Sequence, residues 1–280
     1  MNKSKLIPMI SAAVALAVLA PGVAHAKKPK NETQSSGKTA ADNPNDPGGH
    51  SALGVEAAKK KDYATAVAEF TKAIEAEPND AKNYFNRGTA NRALNKMDEA
   101  VADFSKAIEL DPENVTSYIG RGEALLNQKK ADEALADFEK ALQREPDNVS
   151  AHRFRAFVYL GKEEWEKAIA DYNVVIQKDP KMSSAYERRG FAYRNLKKYQ
   201  EAAADYSKAI SLDPKDVDVY RYRGYVYSML GENDKAAADY RHVLKAKPDD
   251  ADAQSRLKAL EAKGTTPQPN QPAAGSTPSR

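Results

Sequence analysis

Five arginines, Arg87, Arg121, Arg155, Arg189 and Arg223, stand 34 residues apart, and five aspartates, Asp103, Asp137, Asp171, Asp205 and Asp239, follow them at a constant sixteen residues. A row of guanidinium groups alone has the chemistry of an anion-binding surface. Matched to a row of carboxylates, it has the chemistry of a repeated ion pair, for which the planar guanidinium is well suited because it can bond a carboxylate through two parallel N–H groups. An exposed pair contributes only about 0 to 1 kcal/mol, whereas stripping one partner from a buried pair costs roughly 3 to 5 kcal/mol. In the first copy of the pattern Leu53 replaces the arginine and Glu69 the aspartate. We therefore read the two rows as a structural ladder, formed either within one copy or across to the next, in preference to an anion site.

Other groups capable of chemistry are sparse. The chain has no cysteine, and outside its first 26 residues the histidines are His50, His152 and His242, the first two in a column otherwise held by tyrosine. That placement makes them packing or surface residues. The segment GHSALG at 49–54 resembles a nucleophile elbow only superficially, because Leu53 stands where the second glycine belongs. There is no phosphate-cradling glycine loop. No catalytic residue, metal site or cofactor is expected, and the chain is not read as an enzyme.

Residues 1–26 have the order of an export signal: Lys3 and Lys5, an apolar run from Leu6 to Ala20, then Ala24-His25-Ala26 as a small-x-small cleavage motif. The run is short for crossing a bilayer, which takes roughly 20 apolar residues. A cleaved signal is expected, with an uncleaved anchor as the lesser alternative, and the product would be periplasmic or secreted. Without Lys3 and Lys5 the 43 basic residues fall to 41 against 40 acidic ones. Such near-neutrality argues against a general nucleic-acid binder, whose affinity rests on a large positive field. With no disulfide possible, stability must come from packing.

The ladder is one column of a larger pattern. Prolines at 44, 78, 112, 146, 180, 214 and 248 keep the same 34-residue step, and a period of that length denotes stacked supersecondary units. With proline at the thirty-second place, six repeats run 47–80, 81–114, 115–148, 149–182, 183–216 and 217–250. The twentieth place is always alanine, from Ala66 to Ala236; the twenty-fourth is Phe70, Phe104, Phe138, Tyr172, Tyr206 and Tyr240. Apolar residues at helical spacing form one stripe per second helix. Each proline closes that helix, and Asp80, Asn114, Asn148, Asp216 and Asp250 are placed to cap the next. Glycines 88, 122, 190 and 224 lie inside helices, where each costs about 1 kcal/mol against alanine; close approach of the second helix at the invariant alanine is the expected reason. The first repeat is the weakest and is expected to fray or to need the segment before it. Residues 251–262 read as a capping helix, and 27–46 and 263–280 as disordered linker and tail.

The 34-residue period, the small residue at the eighth place, the invariant alanine, the aromatic four places later and the closing proline resemble the tetratricopeptide repeat (TPR) family, over residues 47–250. Tyr or His stands where that pattern has Trp, and Arg where it has Leu. The resemblance implies an all-α fold, an α-solenoid of antiparallel helix pairs in a right-handed superhelix, and a scaffold or adaptor; with the expected export signal, this is read as a bacterial-type exported TPR protein. It also implies a concave groove lined by the second, fifth, sixth, ninth and twelfth places of the first helices, holding an extended segment or helix of a partner protein. Those places supply Arg153, Phe154, Phe157, Arg188, Phe191, Arg221, Tyr222 and Tyr225 in repeats four to six. Tyr, Trp and Arg are enriched at binding hot spots, yet aromatics at helical spacing also pack one first helix on the next, and the choice stays open residue by residue. One family variant holds a terminal carboxylate with a Lys, Asn, Asn, Lys, Arg set over three repeats; Asn86 alone occupies a suitable place here, which disfavours that partner. The alternative to an adaptor is a self-assembling structural subunit.

Overall fold

The computed structural model describes residues 47–264, all of whose regular elements are α-helices. They fall into two compact units divided after Gly161. The first unit holds α1 (Pro47–Lys59), α2 (Tyr63–Ala76), α3 (Ala81–Ala93), α4 (Met97–Leu110), α5 (Val115–Asn127), α6 (Ala131–Arg144) and α7 (Val149–Gly161). The second holds α8 (Trp165–Lys178), α9 (Ser183–Asn195), α10 (Tyr199–Leu212), α11 (Val217–Met229), α12 (Asn233–Ala246) and α13 (Ala251–Gly264). The expected signal, linker and most of the tail lie outside the described residues.

Local chemistry explains where these helices start and stop. The side chains of Asp80, Asn114, Asn148, Asp216 and Asp250 each accept a hydrogen bond from a backbone N–H of the following first helix, at 2.9–3.1 Å, satisfying donors that the helix leaves over. Repeat five lacks the cap because Met182 stands there. Inside each pair, the turn places one residue in the left-handed region, at φ 59–63° for Lys61, Asn95, Lys129, Glu163 and Lys197 and 77° for Gly231. That residue lets the following N–H reach back to the helix, as Lys96 N does to Asn91 O at 2.9 Å.

Within each unit neighbouring helices pack in chain order. Their shared interior is the alanine and aromatic columns: Ala66, Ala100 and Ala134 with Phe70, Phe104 and Phe138 in the first unit, and Ala168, Ala202 and Ala236 with Tyr172, Tyr206 and Tyr240 in the second, none more than 1% exposed. Each ring needs a small residue opposite. A Cβ at Gly122 would lie 2.5 Å from the Phe138 ring, so the helical glycine makes room for the aromatic of the paired helix and not, as expected, for its alanine.

Two further expectations change. The helix at Pro47 is formed, not frayed: the Phe70 ring fills the space beside Gly54, and the buried His50 Nδ1 lies 2.6 Å from Glu69 Oε2. The last helix runs to Gly264, two residues past its expected end, and packs on α12 through Ala253, Leu257 and Leu260.

Candidate functional site

The arginine ladder is a three-helix joint. Arg87 on α3 donates from Nη2 to Asp103 Oδ1 on α4 at 2.7 Å and from Nε to Oδ2 at 3.1 Å, while its Nη1 reaches back to Thr71 Oγ1 on α2 at 3.1 Å. Arg121 repeats this with Asp137 and Ser105, Arg189 with Asp205 and Asn173, and Arg223 with Asp239 and Ser207. The pair therefore closes within its own repeat, and the third bond ties it to the repeat before. Hydrogen bonding to Asp205 raises the Arg189 guanidinium and burial raises the Asp205 carboxyl; with two short charge-assisted bonds at that carboxylate, the ionised pair is the state the geometry supports. Arg155 belongs to the first unit and the buried Asp171 to the second.

In repeat one the aspartate's place is taken by Glu69, which meets His50 and, at 2.8 Å, Lys72. Lys72 first, then His50, holds the Glu69 carboxyl below the usual range. His152 is buried, with Nε2 2.7 Å from Pro146 O, doing what the Tyr84 hydroxyl does to Pro78 O at 3.1 Å. Exposed His242 stacks on Tyr220, ring centroids 3.9 Å apart. Among the described residues no group of three or more His, Cys, Asp or Glu side chains is placed to hold a metal ion, and no helix is long and apolar enough to cross a membrane.

The proposed groove residues are all half-buried and differ in what they touch. In the first unit Phe154 stacks on buried Phe138, centroids 5.6 Å apart and planes at 15°, with the Arg153 guanidinium 4.5 Å above it; Phe157 on the same helix is half-buried. In the second unit Tyr222 tilts against buried Tyr206 at 5.9 Å, as part of the core. Phe191 meets Trp165 edge-on at 5.8 Å. Arg221 pairs with Asp218 at 3.0 Å and approaches Asp250 at 3.5 Å. Arg188 is half-buried beside Glu187, whose carboxyl is pushed up mainly by burial, with Arg188 opposing and Asp216 and Asp218 adding to the shift. Phe154, Phe191, Tyr222 and Tyr225 thus each pack on neighbouring side chains while staying half-buried.

One residue at the centre of this cluster was not among those picked from sequence. Arg194, at the twelfth place, holds its guanidinium 4.6 Å from the Phe191 ring centroid and 5.8 Å from those of Tyr222 and Tyr225. Arg256 on α13 covers Tyr225 from 5.0 Å and is itself bonded to Asp252 at 2.8 and 2.9 Å. Comparing the twelfth column with the ninth of the next repeat would have exposed the cluster.

These helix pairs define a TPR array, and the comparisons agree. A model of the cytochrome c-type biogenesis protein H TPR domain matches residues 71–186, a TPR repeat model matches 190–231, and a tetratricopeptide repeat model matches 50–80 and 223–250. The chain belongs to the TPR family, with the all-α solenoid class of fold. Among solved structures it is similar to YrrB, described as a TPR protein with an unusual peptide-binding site, at 26% identity over 68% of this chain and 97% of that one, TM-score 0.62. It shares its fold with PilW, a type IV pilus biogenesis factor, at 18% identity over 75% and 98%, TM-score 0.65. A tetratricopeptide repeat protein from Parabacteroides merdae matches at 20% over 79% and 94%, TM-score 0.60. No curated protein matches the sequence.

Proposed function

We propose that this chain is an exported, non-catalytic scaffold that binds an extended or helical segment of another protein on the first helices of its second unit. The observation that carries the reading is the half-buried cluster of Phe191, Arg194, Tyr222 and Tyr225 on α9 and α11. Aromatic rings with an arginine among them offer large contact area at low entropic cost and are the residue types on which interface energy concentrates. The peptide-binding site described for YrrB supports the same use of this fold. Lys3, Lys5, the run Leu6–Ala20 and Ala24-His25-Ala26 support export with cleavage before Lys27.

Selection of a displayed random 12-residue peptide library on the purified protein tests the binding reading. Peptides are expected to be retained by the natural protein and lost, at unchanged melting temperature, when Phe191 and Tyr225 are both alanine. Retention of the same peptides by that variant would remove the site from α9 and α11. No retained peptide, together with self-association in sedimentation over a concentration series, would replace the scaffold with a self-assembling subunit. Mass spectrometry of the envelope-fraction protein tests export, and an intact Met1 would refute cleavage.

A further inference from the structure

Two arginines occupy the twelfth place of their repeats, Arg92 on α3 and Arg194 on α9. In the first unit Glu123, at the ninth place of the next repeat, ion-pairs with Arg92, and each side chain is 20% exposed. The second unit has Tyr225 at the corresponding position. A phenol ring stands where the carboxylate was.

Arg194 is consequently half satisfied. Its guanidinium carbon lies 4.6 Å from the ring centroid of Phe191 and 5.8 Å from those of Tyr222 and Tyr225, and among the described residues no carboxylate reaches it. The cluster's other acids are engaged: Asp218 and Asp250 with Arg221, and Asp252 with Arg256. Glu187, seven residues earlier on the same helix, has Arg188, Asp216 and Asp218 as electrostatic neighbours and also acts on the Tyr206 and Tyr222 phenols, but it forms no ion pair with Arg194. Contact with aromatic rings satisfies none of a guanidinium's N–H donors, which are what a carboxylate binds. Beneath the cluster the Tyr206 hydroxyl is fully buried without a hydrogen-bond partner, near enough to Arg194 for its charge to offset part of the effect of burial on the phenol.

We infer that Arg194 is a subsite for a carboxylate side chain of a bound peptide, an Asp or Glu of the partner filling the role that Glu123 fills in the first unit. Apolar residues flanking that acid rest on Phe191 and Tyr225. The inference rests on the peptide-binding reading above and adds the chemistry of the peptide.

The same library selection tests it by a different readout. The selected peptides are expected to share one acidic position, and replacing that acid by its amide is expected to weaken binding about 10- to 100-fold, as for loss of a charge-assisted hydrogen bond. Arg194→Gln should cause a loss of the same size, and the two changes together little more than either alone. Tyr225→Glu, which rebuilds the first unit's pair inside the second, should abolish the acid preference while holding or raising the melting temperature. Peptides selected without an acidic position, or an acid preference that survives Arg194→Gln in a folded protein, would overturn the subsite and leave the scaffold intact. Phosphoserine binding more than tenfold tighter than the selected acid would reassign the subsite to phosphopeptides. If the natural protein retains no peptide, both readings fall.

Discussion

The two units of this chain are built on one repeat and differ in what they leave unfinished. In the first, the twenty-fourth place is phenylalanine and the twelfth-place Arg92 is neutralised by Glu123. In the second, the same places carry tyrosines with buried hydroxyls and an Arg194 that meets only rings. The ladder arginines are alike in both, so the repeat's joint is common and its first-helix surface is where the units part. A solenoid lets them diverge because each repeat contacts only its neighbours, so a surface can change locally without disturbing the stack.

The largest expected effect tests what is common. Arg189→Leu copies Leu53 of repeat one but leaves Asp205, whose side chain is 7% exposed, without its partner. Urea unfolding should show a loss of about 3 to 5 kcal/mol, the cost of breaking a buried pair, and Arg121→Leu in the first unit should match it. Removing both partners, as Arg189→Leu with Asp205→Leu, should recover much of the loss because no buried charge then remains. Peptide binding should survive wherever the protein is folded. Lost binding at unchanged stability would make the ladder an anion site after all.

A smaller effect should separate Gly122 from the glycines with more room, Gly88 in its own unit and Gly190 in the other. A Cβ at Gly122 meets the Phe138 ring at 2.5 Å, whereas at Gly190 the nearest atom, on the Tyr206 ring, is 3.1 Å away. Phe138 cannot retreat, being fully buried and stacked on Phe154. Gly122→Ala is therefore expected to destabilise by about 1 to 3 kcal/mol through overpacking. Gly190→Ala should fall near zero, because a shift of a few tenths of an ångström is offset by the roughly 1 kcal/mol that alanine gains inside a helix. Equal losses in thermal melts would mean that ring packing is uniform along the chain.

The helix pairs were legible because each structural demand is written five or six times: a proline, a cap or a core alanine that would be weak evidence alone is strong when it recurs at the 34-residue step. The pairing of Arg87 with Asp103 was legible for the same reason. Features that link two columns of adjacent repeats were harder to see. The third bond of each ladder arginine goes to Thr71, Ser105, Asn173 or Ser207, whose varied types hide a shared role. Arg194 escaped because its meaning lies in Tyr225, 31 residues later. The turns carry Lys61, Lys129 and Lys197 at positive φ, a conformation usually signalled by glycine or asparagine.

The smallest effect concerns the phenols that the second unit carries at the twenty-fourth place, where the first has phenylalanine. Burial raises the Tyr206 phenol and pushes Tyr240 up to about 12 from an ordinary 10.0. A phenol whose folded-state pKa is raised adds stability that is whole below the unfolded value and is lost as pH climbs to the folded one. The second unit should therefore weaken between pH 10 and 12, with tyrosinate absorbance appearing together with loss of helical circular dichroism. In the first unit the Phe70, Phe104 and Phe138 core has nothing to ionise. Tyr206→Phe removes a buried hydroxyl that has no partner, so it should raise stability at neutral pH by up to about 1 kcal/mol and blunt the alkaline loss. If Tyr206→Phe instead destabilises the free protein, its hydroxyl is satisfied there, and the contrast between a finished first unit and an unfinished second narrows to Arg194 alone.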